Sequence, residues 1–380
     1  MKVAIVHPWF LELGGSEKVV EVLATMFPAA DIFVMAMDPE RVPASLRDRN
    51  IRTTALNRLL RYGFDNQHTY FMPLGPAAVE SMDLRSYDLI ISSCGPLVMG
   101  VNPSQDAIHV SYVHTPHRAW WDSYADRQSN MSWWMKSAFI STASRLRLYE
   151  FSAMQRVDHV VSNSKYIAQR VGKYFRRDSR VIYPPVDTRR GYLSSGHKDY
   201  YLTVSRLGPE KRIDLVIQAC NQLRRPLKVV GVGRAEGYLR SLAGPTVDFL
   251  GRLPNDELRE MYANCRALLF AADEDFGIVP VEAQSFGRPV IAYGHGGSLE
   301  TVRVGDPRGK SDTGIYFNDH TVSSVSDGIL RFEQREDSFS PGQIQEHAQK
   351  FDTEHFRTAF FNLVEDAFRG SVTEYSKRAS

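Results

Sequence analysis

Arg206 and Lys211 stand in the stretch VSRLGPEKRID, behind an apolar run and just ahead of a helical pattern. An arginine fork and a lysine point charge beside a helix N-terminus suit a diphosphate, because both cations and the free N–H groups attract phosphate oxygens. The plainer alternative is a solvated loop in which Glu210 pairs with Lys211 or Arg212. Glu274 and Glu282 lie further on, in EDFGIVPVEAQSFGRPVIA. Phe276-Gly277 opens a helix that places Glu282 about two turns in, and the N–H groups of Gly277 and Ile278 are then free for phosphate or sugar hydroxyls. Val279, Val281, Ala283 and Phe286 surround Glu282 in sequence, so the carboxylate is expected to be buried and to need hydrogen-bond donors. Vicinal ribose hydroxyls are such donors; a capped helix with Glu282 on a wet face is the alternative.

Three weaker signals accompany these. Gly14-Gly15 falls between a strand and a helix, where paired glycines let the backbone approach an anionic ligand or simply make a tight turn. The pair is neither GxGxxG nor the Gly-Lys-Ser/Thr ending of a P-loop, which counts against a dehydrogenase and a P-loop ATPase. His114 precedes Thr115-Pro116 at a strand end, where it could donate to a sugar hydroxyl or bond structurally to backbone. Gly231 and Gly233 follow the run LKVV. Asp273, Glu274 and Asp275 are adjacent carboxylates, but no His/Cys cluster has metal-ligand spacing, and no metal is expected. Together the groups point to a site for a diphosphate-linked sugar nucleotide.

The elements that must hold these residues alternate. Strands are expected over 2–6, 31–37, 87–94, 107–114, 158–164 and 180–187. A helix with Val19, Val20, Val22, Leu23 and Met26 on its apolar face follows the glycine turn. The pattern then restarts, with strands over 200–207, 226–233, 247–253, 267–272, 288–293 and 314–317 and an amphipathic helix over 212–223. The fold class is α/β, with two Rossmann-like, doubly wound parallel-sheet domains facing across a cleft. The boundary is placed in PPVDTRRGYLSSGHK, giving a first domain over 1–187 and a second over 188–352. A last helix over about 353–369 is expected to pack back on the first domain, and the tail SVTEYSKRAS to be disordered. Ligands of such sheets bind outside the carboxyl ends of the strands, so the site is expected in the interdomain cleft.

Composition narrows the class. The 380 residues carry 46 Lys and Arg against 44 Asp and Glu, a net charge of +2, which argues against a dedicated nucleic-acid binder. Cys94, Cys220 and Cys265 are too scattered for a disulfide framework, and a reducing compartment is expected. No apolar run reaches the roughly 18–20 residues of a membrane span, and the N-terminus lacks signal-peptide features. A cytoplasmic protein is expected. Residues 127–180 nevertheless hold eleven Lys and Arg against three acids, with Trp120, Trp121, Trp133 and Trp134 in or beside them. Cations with tryptophan suit peripheral docking on the inner membrane; buried tryptophans and ordinary helix surfaces are the alternative.

The stretches GGSEK (14–18), HTP (114–116), SNS (162–164), PPVD (184–187), SRLGPEKRID (205–214), GVGR (231–234), EDFGIVPVEAQSFGRPVIA (274–292) and GGSLETV (296–302) resemble, in order, those of retaining glycosyltransferases of family 4 with the GT-B fold. HTPHRAWWD, VSNSKYIAQRV and VIYPPVD are similar to bacterial O-antigen and exopolysaccharide mannosyltransferases. The resemblance implies mannose transfer from GDP-mannose to a polyprenyl-diphosphate-linked saccharide acceptor, with no metal and no nucleic acid. It implies that Gly15 approaches the donor diphosphate through its backbone, with Gly14 beside it in the donor site, and that Arg206 and Lys211 bind the phosphates. Glu282 takes the ribose hydroxyls, Glu274 and His114 the transferred sugar, and Gly277 and Ile278 offer N–H groups beside Phe276, with Gly231 and Gly233 in the donor site. Retention is usually drawn as same-face attack, so no general base is assigned. A sugar-nucleotide epimerase or hydrolase, and a non-catalytic sugar-nucleotide-binding protein, remain the competing readings.

Overall fold

The computed structural model describes residues 1–11, 14–61, 68–95, 97–129, 131–305 and 311–378. The chain divides into two compact units, Met1–Tyr183 with Phe356–Ser380, and Pro184–His355.

The first unit is built on a seven-stranded sheet in the order β3-β2-β1-β4-β5-β6-β7. Its strands are β1 (Val3–Phe10), β2 (Asp31–Met37), β3 (Ile51–Thr53), β4 (Leu89–Cys94), β5 (Ile108–Val113), β6 (His159–Ser162) and β7 (Arg180–Val181). All pairings are parallel. Both faces are covered, so the strands read as continuous apolar runs rather than alternating ones. Alternation survives in which core each residue joins. Ala4, Val6, Ile90 and Val113 face one core, whereas Val3, Ile5, Leu89, Ile91, Val110 and Tyr112 face the other. The helix Gly15–Met26 adds Val19, Val20, Leu23 and Ala24 to that second core. The last helix, Thr353–Arg378, adds Phe356, Phe360, Leu363, Val364 and Ala367, an i, i+4, i+7, i+8, i+11 stripe.

Three expectations need correction. β1 runs past Pro8, pairing with β2 at Trp9 and Phe10, because the proline falls between hydrogen-bonded positions. β7 stops at Val181, since Pro184 and Pro185 have no N–H to extend a ladder. The last helix continues to Arg378 instead of ending near residue 369, because no glycine or proline follows Gly370; Ala379 and Ser380 lie outside the described residues.

The second unit carries a six-stranded parallel sheet in the order β10-β9-β8-β11-β12-β13. Its strands are β8 (Tyr201–Val204), β9 (Leu227–Val230), β10 (Val247–Gly251), β11 (Leu268–Phe270), β12 (Val290–Tyr293) and β13 (Gly314–Phe317). Pro184–Asp187, assigned from sequence to the first domain, go with this unit. The Val186 N–H donates to the Phe351 carbonyl at 3.1 Å, and the Thr188 hydroxyl donates to Asp352 at 2.8 Å. Both sheets reverse strand order beside their first strand, between β1 and β4 and between β8 and β11. At such a switch point the flanking loops part and leave room for a ligand at the carboxyl ends.

Candidate functional site

In the second unit four loops leave the carboxyl edge of the sheet, after β8, β9, β11 and β12. The loop after β8 holds exposed Arg206 and half-buried Lys211, the latter ending a short 3-10 turn, Pro209–Lys211. Arg206 meets Glu210 at 3.3 Å, an i, i+4 pair. Glu210 also reaches Arg234 at 3.5 Å, and Arg212 turns to Asp214. Among the described residues Glu210 therefore forms its ion pairs with Arg206 and Arg234 and not with Lys211 or Arg212. Lys211 forms its ion pair with Glu274, which arrives from the loop after β11. The two loops on either side of the β8/β11 switch point are thus joined by opposite charges, both largely shielded from water.

Glycines bring the neighbouring loops close. Gly231 has φ +135°, and a Cβ there would sit 1.8 Å from the Ser205 carbonyl oxygen; at Gly233 it would sit 2.5 Å from that of Leu207. This approach lets the Leu207 N–H donate to Val232 and the Ala235 N–H donate to Leu207, which fixes the loop carrying Arg206. Gly297, after β12, likewise donates to the Glu274 carbonyl at 2.8 Å and lies against the Phe276 backbone. The sequence reading gave Gly297 no role. Phe276 is buried, edge-on to Phe351, so only its backbone can face a ligand. Gly277 has φ +90°, the left-handed region that favours glycine, and caps the helix Ile278–Ser285. Glu282 is the fifth residue of that helix, little more than one turn in rather than two. It is half-buried rather than buried, and it accepts a hydrogen bond from the Tyr262 hydroxyl at 2.9 Å. Burial drives the Tyr262 hydroxyl well above its ordinary pKa, so it stays a donor. Among the described residues no cluster of His, Cys, Asp and Glu has the arrangement of a metal site.

In the first unit Gly14 is the exposed, extended cap of the helix Gly15–Met26. His114 follows β5 directly and is half-buried. Its Nε2 lies 2.8 Å from the Ser93 hydroxyl, and its carbonyl accepts from Asn163 at 3.0 Å. Burial holds its pKa down at about 3, so its ring is neutral at pH 7. Of the four tryptophans noted above, Trp120 is buried, and Trp121 donates to Glu150 at 2.8 Å. Trp133 and Trp134 open the helix Trp133–Gln155 and are 82% and 61% exposed.

Residues 13–190 match Glycosyltransferase Family 4, and residues 187–351 match Glycosyl transferases group 1. The chain belongs to glycosyltransferase family 4. Among curated relatives, the O-antigen chain mannosyltransferase RfbU of Salmonella typhimurium is 24% identical over 227 residues, 57% of this chain and 62% of that one. A GDP-mannose-dependent monoacylated alpha-(1-6)-phosphatidylinositol monomannoside mannosyltransferase of Corynebacterium glutamicum is 40% identical over 142 residues, 33% of this chain and 35% of that one. The chain spans about half the length of the first curated relatives it matches. Among solved structures, Anabaena HepE in complex with UDP-glucose superposes with a TM-score of 0.70 at 16% identity, covering 96% of this chain and all of that one. That likeness carries the GT-B fold, two parallel sheets of seven and six strands with helices.

Proposed function

We propose that this family 4 protein is a retaining glycosyltransferase that moves mannose from GDP-mannose to a lipid-linked saccharide acceptor in bacterial surface polysaccharide synthesis. The observation that carries the reading is the Lys211–Glu274 pair at the β8/β11 switch point, with Arg206 on the same loop. In this reading Arg206 and Lys211 hold the donor diphosphate. Charge grows on that group as the anomeric bond breaks, and cations already in place lower the barrier without reorganising. Glu274 holds Lys211 in place through their ion pair, and it accepts from hydroxyls of the sugar. Glu282 takes ribose hydroxyls while Tyr262 holds the other side of its carboxylate. The N–H groups of Gly277 and Ile278 serve the donor, as do the backbone at Gly14, Gly15, Gly231, Gly233 and Phe276. His114 contacts the transferred sugar. The departing phosphate oxygen accepts the acceptor's proton on the face where the new bond forms, so the configuration is kept.

Mannose and GDP rest on the two relatives named above, whose own activities are a mannosyltransferase and a GDP-mannose-dependent mannosyltransferase. The lipid-linked acceptor rests on the helix Trp133–Gln155. Its exposed Trp133, Trp134, Met135 and Ile140 lie among Lys136 and Arg145, a surface suited to an anionic bilayer from the cytoplasmic side.

A ligand that binds only the folded chain raises its melting temperature in proportion to the logarithm of its concentration over Kd. GDP and GDP-mannose are expected to raise Tm most in a panel of nucleoside diphosphates and nucleotide sugars. A larger shift with UDP-sugars would reassign the donor, and no shift with any of them would overturn the donor site. Free mannose released from GDP-mannose as fast without acceptor as with it would favour a hydrolase.

A further inference from the structure

Glu17, in the GGSEK turn, takes no part in the reading above, yet it is 7% exposed and lies at the first unit's switch point. Three neighbouring strands lead from it to His114. His7 on β1, Ser93 on β4 and His114 just past β5 share the face of Ile5, Ile91 and Tyr112, two residues before each of them. Glu17 Oε1 lies 3.4 Å from His7 Nε2, and His7 Nδ1 lies 3.3 Å from Ser93 Oγ. Ser93 Oγ lies 2.8 Å from His114 Nε2, closing a line of four side chains. The Ser16 hydroxyl donates to the other carboxylate oxygen of Glu17 at 3.0 Å. Nδ1 of His114 makes no hydrogen bond among the described residues, and it is not one of the fully buried polar atoms left without a partner, so it keeps some contact with solvent.

The proton count along this line is constrained. An ionised carboxylate only accepts, so with one proton on His7 that proton sits on Nε2. His7 Nδ1 is then a lone pair that accepts from the Ser93 O–H. The Ser93 oxygen, having given its single proton, accepts from His114 Nε2–H. We propose that Glu17, through His7 and Ser93, fixes His114 in the tautomer protonated on Nε2, so that Nδ1 accepts a hydrogen bond from a hydroxyl of the transferred sugar. This reverses the direction of donation suggested by the sequence, and it rests on the proposed function only for the identity of the hydroxyl. Glu17 is a positioning residue, acting through two others.

Long-range proton–nitrogen spectroscopy of the ligand-free, full-length protein, with histidines labelled and His114 assigned by His114→Gln, reads the tautomer directly. The wild type is expected to show His114 protonated on Nε2. Glu17→Gln and Ser93→Ala are expected to shift it to a mixture of tautomers, and Glu17→Asp to retain it. His114 protonated on Nδ1 in the wild type would overturn the proposal without any variant, as would an unchanged tautomer in both folded variants. In turnover, Glu17→Gln is expected to lower kcat about tenfold, the scale of one mispaired polar contact, with KM for the nucleotide sugar unchanged and Glu17→Asp restoring the rate. An equal loss from Glu17→Asp would reduce Glu17 to a structural part. The spectroscopic result needs no donor, so failure of the donor assignment and failure of the relay are seen separately.

Discussion

Lys211 is 19% exposed and Glu274 29%, so their pair is screened less than an open surface bridge. Lys211→Ala removes a charge needed most as the diphosphate departs, and it is expected to lower kcat about 100-fold. Thermal stability is expected to fall by only about 1 kcal/mol, because Glu274 can still be hydrated. Steady-state kinetics with a melting curve check both, and an unchanged kcat would remove Lys211 from the machinery. The types of these residues were legible in the sequence, but their pairing was not. Glu210 lies next to Lys211 in sequence, yet the i, i+4 spacing hands it to Arg206, and the cation's partner comes 63 residues later. Tyr262, the partner of Glu282, lies 20 residues upstream on another helix, where no local pattern points to it. The line from Glu17 to His114 had a readable trace. His7 and Ser93 are polar residues at inward positions of apolar strands, and such residues need partners.

At the scale of elements, the helix Trp133–Gln155 carries a carboxylate that its own core disfavours. Glu150 is fully buried. Burial raises its pKa to about 7, although the Trp121 indole N–H works the other way. A carboxyl whose folded pKa lies above its unfolded one binds protons more tightly when folded. Its stabilising effect is whole below the unfolded value of 4.5 and is lost as pH rises through about 7. Glu150→Gln keeps an acceptor for Trp121 and removes the titration. It is expected to flatten the fall in stability between pH 5 and 8 by on the order of 3 kcal/mol. Urea denaturation at several pH values checks this, and parallel pH profiles for both proteins would refute it. Strand positions were legible because buried parallel strands are short apolar runs bounded by turns. Their ends were less so, since pairing and not hydropathy decides where β7 stops. β3 was missed because its three residues include exposed Arg52 and Thr53 and show no apolar run.

At the scale of the molecule, two bulky indoles lie open to water on a surface that also presents Lys136 and Arg145. No described helix is long and apolar enough to cross a membrane. Flotation with phosphatidylglycerol vesicles is expected to carry the protein upward, and purely zwitterionic vesicles to leave it behind. Replacing Trp133 and Trp134 by alanine is expected to abolish flotation without lowering Tm, because neither ring is packed. Wild type that ignores vesicle charge would defeat the docking face. The last helix has a different bearing. Phe356, Phe360 and Leu363 finish a core whose other side is made by Val3, Ile5 and Tyr112, all more than 240 residues earlier in the sequence. During synthesis the early strands emerge from the ribosome with this apolar surface uncovered, and they wait while about 170 intervening residues are made. The nascent first unit is therefore a natural client for chaperones until translation reaches the final turns.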